Sequence, residues 1–396
     1  MTDHNIRFSA SSFAEQRNFK LMELPAELCK LMEEALLSKG SSGFHIKGSS
    51  SDDAVLCTQD KTYIIRSVSL SNSILVVTSP PDSDISLEPN ESGVIIRDQI
   101  NEILELTQAI PKLHQLNSLL RGKEYGEDEE DNEDFQDVQV RECTVSLVSH
   151  WSMFSKKFTY ANAQAMIQAS EEELNRGLRE RRILQINDSL RPISSAYLTK
   201  IIQFILNSLT ALSLNHASVP VEKLSTALVD DHDVPRIVSV QVMSWFGDIG
   251  DIDGRWKMDV DAVVKEAGLG ILKESKDKSL DQEDFISSWK ELVGEKFASA
   301  VSLDLLAGNY LITPAGPYSI HEVLKYFPVS SLPVDPAQRF ADLFLTRRKW
   351  KNEDIVPFLS DIAVNSKERD KMLLKYARAT TDSQGLWYTA RAQYNG

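Results

Sequence analysis

The sequence predicts an α+β fold in which sheet comes first and helices follow. Over the first hundred residues, short β-branched runs alternate with Gly, Asn, Asp, Ser and Pro clusters; beyond them the apolar spacing turns to i, i+3, i+4. The 396 residues are 42% hydrophobic, with only 17 Gly and 14 Pro. Such a chain buries several small cores rather than one large one, so roughly two to four domains are expected.

The N-terminal part opens with a helix-like stretch around Leu24 to Leu37. Strands follow at Phe44 to Gly48, Ala54 to Cys57, Thr62 to Leu70, Ser73 to Val77 and Gly93 to Arg97. A sheet this small has exposed edges, and such edges are normally covered or paired. Residues 1–100 therefore read as a β-rich partial barrel completed by partner chains, with a self-contained β domain as the alternative.

From Ile100 the period reads as helical. Ile100, Ile103, Leu104, Leu113, Leu116 and Leu120 fall on one stripe, with Pro111 starting a second helix or kinking the first. Glu127 to Asp137 carries eight carboxylates and reads as a solvated linker rather than an acidic interaction tail. Val138 to Phe154 is apolar without a clean period and receives no assignment.

Beyond it one theme repeats: three helices, then a short strand pair. Ser170 opens a helix as SEEEL, an N-cap Ser with acids in the first turn, and that helix ends near RRILQIND. Leu198, Ile201, Ile202, Ile205, Leu209 and Leu212 make the next helix. Helices at Val219 to Val229 and Val234 to Phe246 follow, then the strand-like WKMDVD. Another unit runs from Val260, Val263, Val264, Ala267 and Ile271 through the helix of Phe285, Trp289 and Leu292, and reaches NYLIT after a third helix. The last opens at Ala337 with Phe340, Leu343 and Phe344. It continues through Ile355, Phe358, Leu359 and Ile362, then Met372, Leu373 and Tyr376, and closes in LWYTA. Three short helices with a hairpin make the winged-helix plan. The expected units are 101–195, containing the acidic linker 127–137, then 196–258, 259–330 and 331–396.

No constellation carries catalysis. In GFHIKGSS the Gly follows Lys47, the reverse of a phosphate loop, so the segment reads as strand. In DIGDIDGRW, placing Gly254 at position six of a calcium loop puts Ile249 and Val260 at positions that must coordinate, which excludes it. Asp230, Asp231, His232 and Asp233 are adjacent and read as an N-cap and helix-dipole cluster before Val234 and Pro235. Hydrolase, zincin, kinase and dinucleotide motifs are missing, so the expectation is no enzyme, no cofactor and no metal. Cys29, Cys57 and Cys143 are widely spaced thiols of a reducing compartment. The first residues lack a signal-peptide pattern, and no apolar run approaches a bilayer span, so a soluble intracellular protein with no membrane contact is expected.

Charge is more informative. The net charge of -15 opposes contact with bulk DNA. Ala337 to Gly396 nevertheless carries eleven Lys and Arg against seven Asp and Glu, a local +4 that leaves -19 for the rest. Arg347, Arg348, Lys349 and Lys351 leave the first helix of this unit; Lys367, Arg369, Lys371, Lys375 and Arg378 decorate its third; Arg391 follows its strand. The third helix and wing are the surfaces that reach phosphates, so these residues mark a local, salt-sensitive DNA contact. A solvated face that balances an acidic body is the other reading. Asp370 and Glu368 interrupt the patch and argue against base-specific reading.

Several segments carry a family resemblance. LPAEL (Leu24 to Leu28), FHIKG, AVLCT, KTYIIRSV, SNSILVV, QASEEEL (Gln168 to Leu174), RFADLFLTRRKWKNEDIVPFLSDI, MLLKYAR and LWYTAR stand in order along most of the chain. Together they resemble the sister-chromatid-cohesion subunit of the alternative, cohesion-type replication factor C clamp loader. The resemblance implies that the N-terminal strands pair with a small subunit and with the C-terminal tail of the large loader subunit. It further implies winged helices that meet the catalytic subunit of DNA polymerase epsilon and DNA, in the nucleus. Replication factor C small subunits and the PCNA clamp would be reached indirectly, with ATP handled by other subunits. The chain departs from the family pattern over Glu127 to Lys157, which reads as an insertion. The rival reading is a tandem winged-helix transcription regulator, which would need a basic, base-reading helix. Glu291 and Glu295, in and just after the Phe285-to-Leu292 helix of the third unit, count against it, since only the last unit is basic.

Overall fold

In the computed structural model the described residues are 5–8, 19–38, 43–48, 52–78, 93–127, 157–316 and 321–391. The chain divides into two compact units, Met1–Lys112 with Ala165–Leu174, and Leu113–Gln164 with Asn175–Gly396. Most of the acidic run after Glu127, and the apolar stretch Val138 to Phe154, lie outside the described residues.

The first unit contains β1 (Asn5–Phe8), β2 (Leu21–Glu23), α1 (Ala26–Ser38), β3 (His45–Lys47), β4 (Val55–Cys57), β5 (Thr62–Thr78) and β6 (Gly93–Gln108). They form one open six-stranded sheet in the order β1-β6-β5-β4-β3, with β2 also on β6, and not a closed barrel. β5 and β6 pair antiparallel from Tyr63 opposite Gln108 to Thr78 opposite Ile95, while β1 and β2 run parallel to β6. The two strands expected at Thr62 to Leu70 and Ser73 to Val77 are one. The polar break at Ser71 to Ser73 is a bulge, in which β5 advances five residues from Ser69 to Ile74 against two on β6.

The helix expected from Ile100 is corrected: Ile100, Ile103 and Leu104 belong to β6. The even-numbered Ile96, Ile100 and Leu106 are buried, the alternation of a strand. Ile100, Ile103 and Leu104 satisfy helical spacing as well, and pairing with β5 decides between the two. Leu113, Leu116 and Leu120 are buried about a short helix, as the stripe predicted. A small core of Leu28, Leu56, Tyr63 and Leu106 pins α1 to the sheet.

The second unit begins with α2 (Gln115–Leu119), α3 (Tyr160–Met166), α4 (Glu171–Glu180), β7 (Ile183–Ile186) and β8 (Ser189–Pro192). α3 and α4 run between the units along the chain. Ser170 caps α4 as expected, its hydroxyl accepting from Glu173 N at 3.2 Å. That helix stops at Glu180, just before RRILQIND as expected. Arg182 takes a left-handed φ of 54°, and ILQIN leaves as a strand whose return turn places Asn187 and Asp188 at φ 47° and 62°.

Next come α5 (Ser195–Ala211), β9 (Val219–Pro220), α6 (Val221–His232), α7 (Arg236–Trp245), β10 (Gly247–Ile249) and β11 (Arg255–Met258). α8 (Val260–Glu274), β12 (Ser279–Asp281), α9 (Gln282–Val293), β13 (Tyr310–Pro314) and β14 (Glu322–Tyr326) follow. The third helix expected before NYLIT is two 3-10 turns, Ala298–Ala300 and Leu303–Leu306. The chain ends with α10 (Pro336–Thr346), β15 (Lys349–Lys351), α11 (Asn352–Ile355), α12 (Ser366–Tyr376), β16 (Ala377–Asp382) and β17 (Gly385–Ala390).

The short strand after the first helix of each module pairs with the last strand of its hairpin: β9 on β11, β12 on β14, β15 on β17. Tyr125 does the same on a reduced scale, bridging Ile193 beyond β8.

One hydrophobic core runs from Tyr125 to Leu324, and a second gathers around Phe340, Trp350 and Phe358. The β13–β14 pair serves both, with Leu324 in the first core and Leu311 in the second. Arg182 ties successive modules together. It donates to Glu266 Oε2 from Nε at 3.0 Å and Nη2 at 2.8 Å while lying 4.3 Å from the Phe246 ring.

Candidate functional site

The last module is built so that its cations divide into buried, paired and open groups. Asp335 caps α10 by accepting from Gln338 N at 2.9 Å, with Pro336 at the first helical position. Arg339 on that helix is 1% exposed. It pairs with Asp361 and donates to the carbonyls of Pro333 at 2.6 Å and Phe358 at 2.9 Å. One of the eleven basic residues is therefore part of the core.

Alternation along the three-stranded sheet sets the next group. Trp350, Ala377 and Tyr388 point into the core. The opposite face carries Lys349 and Lys351 of β15, Trp387 and Thr389 of β17, and Arg378, Thr380 and Asp382 of β16. Register aligns Arg378, Thr389 and Lys349 in one row and Thr380, Trp387 and Lys351 in the next. Lys349 Nζ lies 4.1 Å and Lys351 Nζ 5.6 Å from the Trp387 ring centroid, which makes a cationic, aromatic and hydroxylated surface. Sequence reasoning overlooked Trp387, although strand alternation with Lys349 and Lys351 could have found it.

The remaining expected residues are scattered around this sheet. Arg347 donates to Asp354 at 3.1 Å and to Ile312 O at 2.7 Å, so it anchors the module rather than facing a ligand. Lys351 also lies 3.4 Å from Glu353, and Lys371 is 2.8 Å from Glu368. Lys375 rests 4.9 Å from the Tyr376 ring, and Arg391 Nε donates to Ala377 O at 3.1 Å. Arg348, Lys367 and Arg378 are exposed. Arg369 turns to Asp370 at 3.2 Å.

The third helices of the other modules are less accessible. Gln241 on α7 donates to Gln185 O and accepts from Gln185 N, each at 2.9 Å, which seats β7 on that helix. In the following module the helix is reduced to 3-10 turns. Only α12 combines helix length, basic residues and an open hairpin face among the described residues.

The first unit offers a second feature. β4 pairs with Thr62 to Ile64 alone, so among the described residues no strand lies on the side of β5 away from β6 from Arg66 to Thr78. Ile74, Leu75 and Val77 on this stretch are 40%, 43% and 48% exposed. Apolar side chains on an open edge are a template for another chain.

Other expectations resolve locally. Lys47 ends β3 and donates to Ala169 O at 2.7 Å; burial pushes its ammonium pKa down. Gly250 to Gly254 is the polar turn expected between β10 and β11, with Asp253 accepting from Arg255 N at 3.1 Å. The Asp230 to Asp233 cluster is corrected: it closes α6, with Asp233 the left-handed C-cap, while Pro235 precedes α7. His232 there stacks on Phe204 at 3.9 Å. Among the described residues no group of three or more His, Cys, Asp or Glu could hold a metal, and no helix is long and apolar enough to cross a membrane.

Comparison with known proteins is consistent along the chain. The family model described as "Sister chromatid cohesion protein Dcc1" matches residues 19–359. Sister chromatid cohesion protein DCC1 of Xenopus tropicalis is 28% identical, covering 98% of this chain and 93% of the relative. The human protein of that name is 26% identical, covering 96% and 90%, and the Saccharomyces cerevisiae protein 22% identical, covering 91% and 93%.

Proposed function

Because this chain belongs to the Dcc1 family of sister chromatid cohesion proteins, we propose that it is a non-catalytic adaptor of an alternative replication factor C complex that loads PCNA in the nucleus. The observation that carries this reading is the open β5 edge with Ile74, Leu75 and Val77 exposed on it. Strands from the large loader subunit's C-terminal tail and from a small subunit pair there and complete a barrel, satisfying the free backbone groups and covering the apolar side chains. The helix, strand, helix, helix, hairpin order supports tandem winged-helix modules in the second unit. Those modules meet the catalytic subunit of DNA polymerase epsilon. The exposed face of the last hairpin and α12 touch DNA through its phosphates. Tethering is the mechanism: linked weak contacts raise the effective concentration of loader, polymerase and primer end on one another.

The test uses the full chain, because β6 crosses residue 100 and a fragment ending there would cut the sheet. Co-expression with the two partner chains, followed by size-exclusion chromatography and mass measurement, should give a stoichiometric complex. The triple variant Ile74→Asp, Leu75→Asp, Val77→Asp should lose it while keeping its helical circular dichroism. A wild-type chain that stays apart from both partners would return the transcription-regulator reading to first place.

A further inference from the structure

On the exposed sheet face of the last module, every charged residue but one is a cation. Lys349, Lys351 and Arg378 share it with Trp387, Thr380 and Thr389, and Asp382 is its only acid. Three donors from three places converge on that carboxylate. Lys349 Nζ of β15 lies 3.1 Å from Oδ2; Trp387 Nε1 of β17 and the Gln384 backbone N–H of the turn lie 2.8 Å and 2.9 Å from Oδ1. A cation, an indole N–H and a main-chain N–H closing on two anionic oxygens form the donor set that a phosphodiester would recruit.

The neighbouring acids are placed differently. Glu353, Glu368 and Asp370 each meet a nearby cation of their own segment. Asp382 alone gathers donors across the whole sheet, and these donors hold its carboxyl below the usual carboxylate range, the turn N–H contributing most.

We infer that Asp382 is an intramolecular stand-in for a nucleic-acid phosphate, a built-in competitor that occupies the wing's anion position and sets how weakly this face binds DNA. The inference rests on the proposal that the last module touches DNA. When a backbone phosphate arrives, Lys349 exchanges a carboxylate for it, and the gain is only the difference between two similar pairings. The consequence is contact that is weak, tolerant of sequence and easily released, as suits a tether that must let the clamp loader move on.

Asp382 also shapes its turn, since Oδ1 accepts from Gln384 N two residues on and Gly385 follows at φ 122°. Asp382→Asn keeps that acceptor and removes the charge. Full-length wild type, Asp382→Asn, Lys349→Gln, the double variant, and Arg348→Gln/Lys367→Gln/Arg378→Gln would be titrated against a labelled mixed-sequence duplex by fluorescence anisotropy. Salt would be varied and thermal melting run alongside. Asp382→Asn should bind roughly fivefold tighter at low salt. Its log–log salt slope should be steeper by about one, the mark of one added phosphate contact. Lys349→Gln should abolish the gain in the double variant. If Asp382→Asn binds no tighter than wild type while the Arg348/Lys367/Arg378 variant loses affinity, the face binds DNA and the competitor is refuted. If that triple variant binds as well as wild type, the reading that the last module touches DNA fails, and the inference with it.

Discussion

Glu27, Lys61 and Tyr63 form a small network that ties α1 to the sheet. Lys61 Nζ and the Tyr63 hydroxyl each lie 2.7 Å from a different oxygen of Glu27. The Lys61 hydrogen bond, then that from Tyr63, lowers the Glu27 carboxyl pKa, and the same Glu27 contact raises that of Lys61. A depressed acid stabilises the fold above its unfolded value of about 4.3 and loses that contribution as pH falls through the folded one. A raised ammonium contributes below about 10.4 and loses it as pH climbs through its folded value. The network therefore holds α1 across the neutral range and releases it at both extremes. Hydrogen exchange of residues 26–38 should be faster in Glu27→Gln than in wild type near about pH 7, and the two should converge near about pH 3. An undiminished difference in acid would place the effect in packing instead. None of the three residues is conspicuous in the sequence, because their meeting depends on register. Asp382 illustrates the same limit: as a letter it reads as a turn former, and only pairing Lys351 with Trp387 shows what it faces.

At the scale of elements, the strong amphipathic patterns translated directly. α5, α6, α7, α8 and α10 lie where their spacing puts them, since each buries one stripe and is capped by a side chain or closed by a turn. The misreadings fall where one pattern fits two periods, as at Ile100 to Leu104, or where a strand bulges through a polar break. Shortness defeated the reading of the 3-10 turns before β13, which hold too few residues to show a period. Gly268 in α8 is a signal that could have been used. A Cβ there would sit 2.6 Å from the ring of Trp289, which is fully buried and donates to Val264 O at 2.8 Å. In an open helix Gly→Ala stabilises by about 1 kcal/mol. Here overpacking should win, and Gly268→Ala should show a net loss of about 1–2 kcal/mol in chemical denaturation. A gain would mean that α8 and α9 are free to separate.

Across the whole molecule, composition predicted several small cores, whereas one large core joins Tyr125 to Leu324 beside smaller ones, and two properties of this arrangement bear on function. Charge is segregated: the module with the open basic face is +4 in a chain of -15, so its positive field is local and reaches a Debye length of about 8–10 Å. The cores are also shared in a way that a list of repeats does not convey. β13 gives Leu311 to the last core while Ile312, one residue on, packs against the preceding one. A strand with both faces buried couples the modules on its two sides, so the terminal module should not unfold alone. Leu311→Ala leaves a cavity in the last core at a cost of about 2–4 kcal/mol, and the coupling makes that cost visible beyond it. Hydrogen–deuterium exchange should rise in Pro336–Thr346 and also in α8 and β14, which line the other core. Faster exchange confined to residues after 336 would show that the last module opens independently. The linkage between the last two modules would then be flexible, where the shared strand predicts a stiff one.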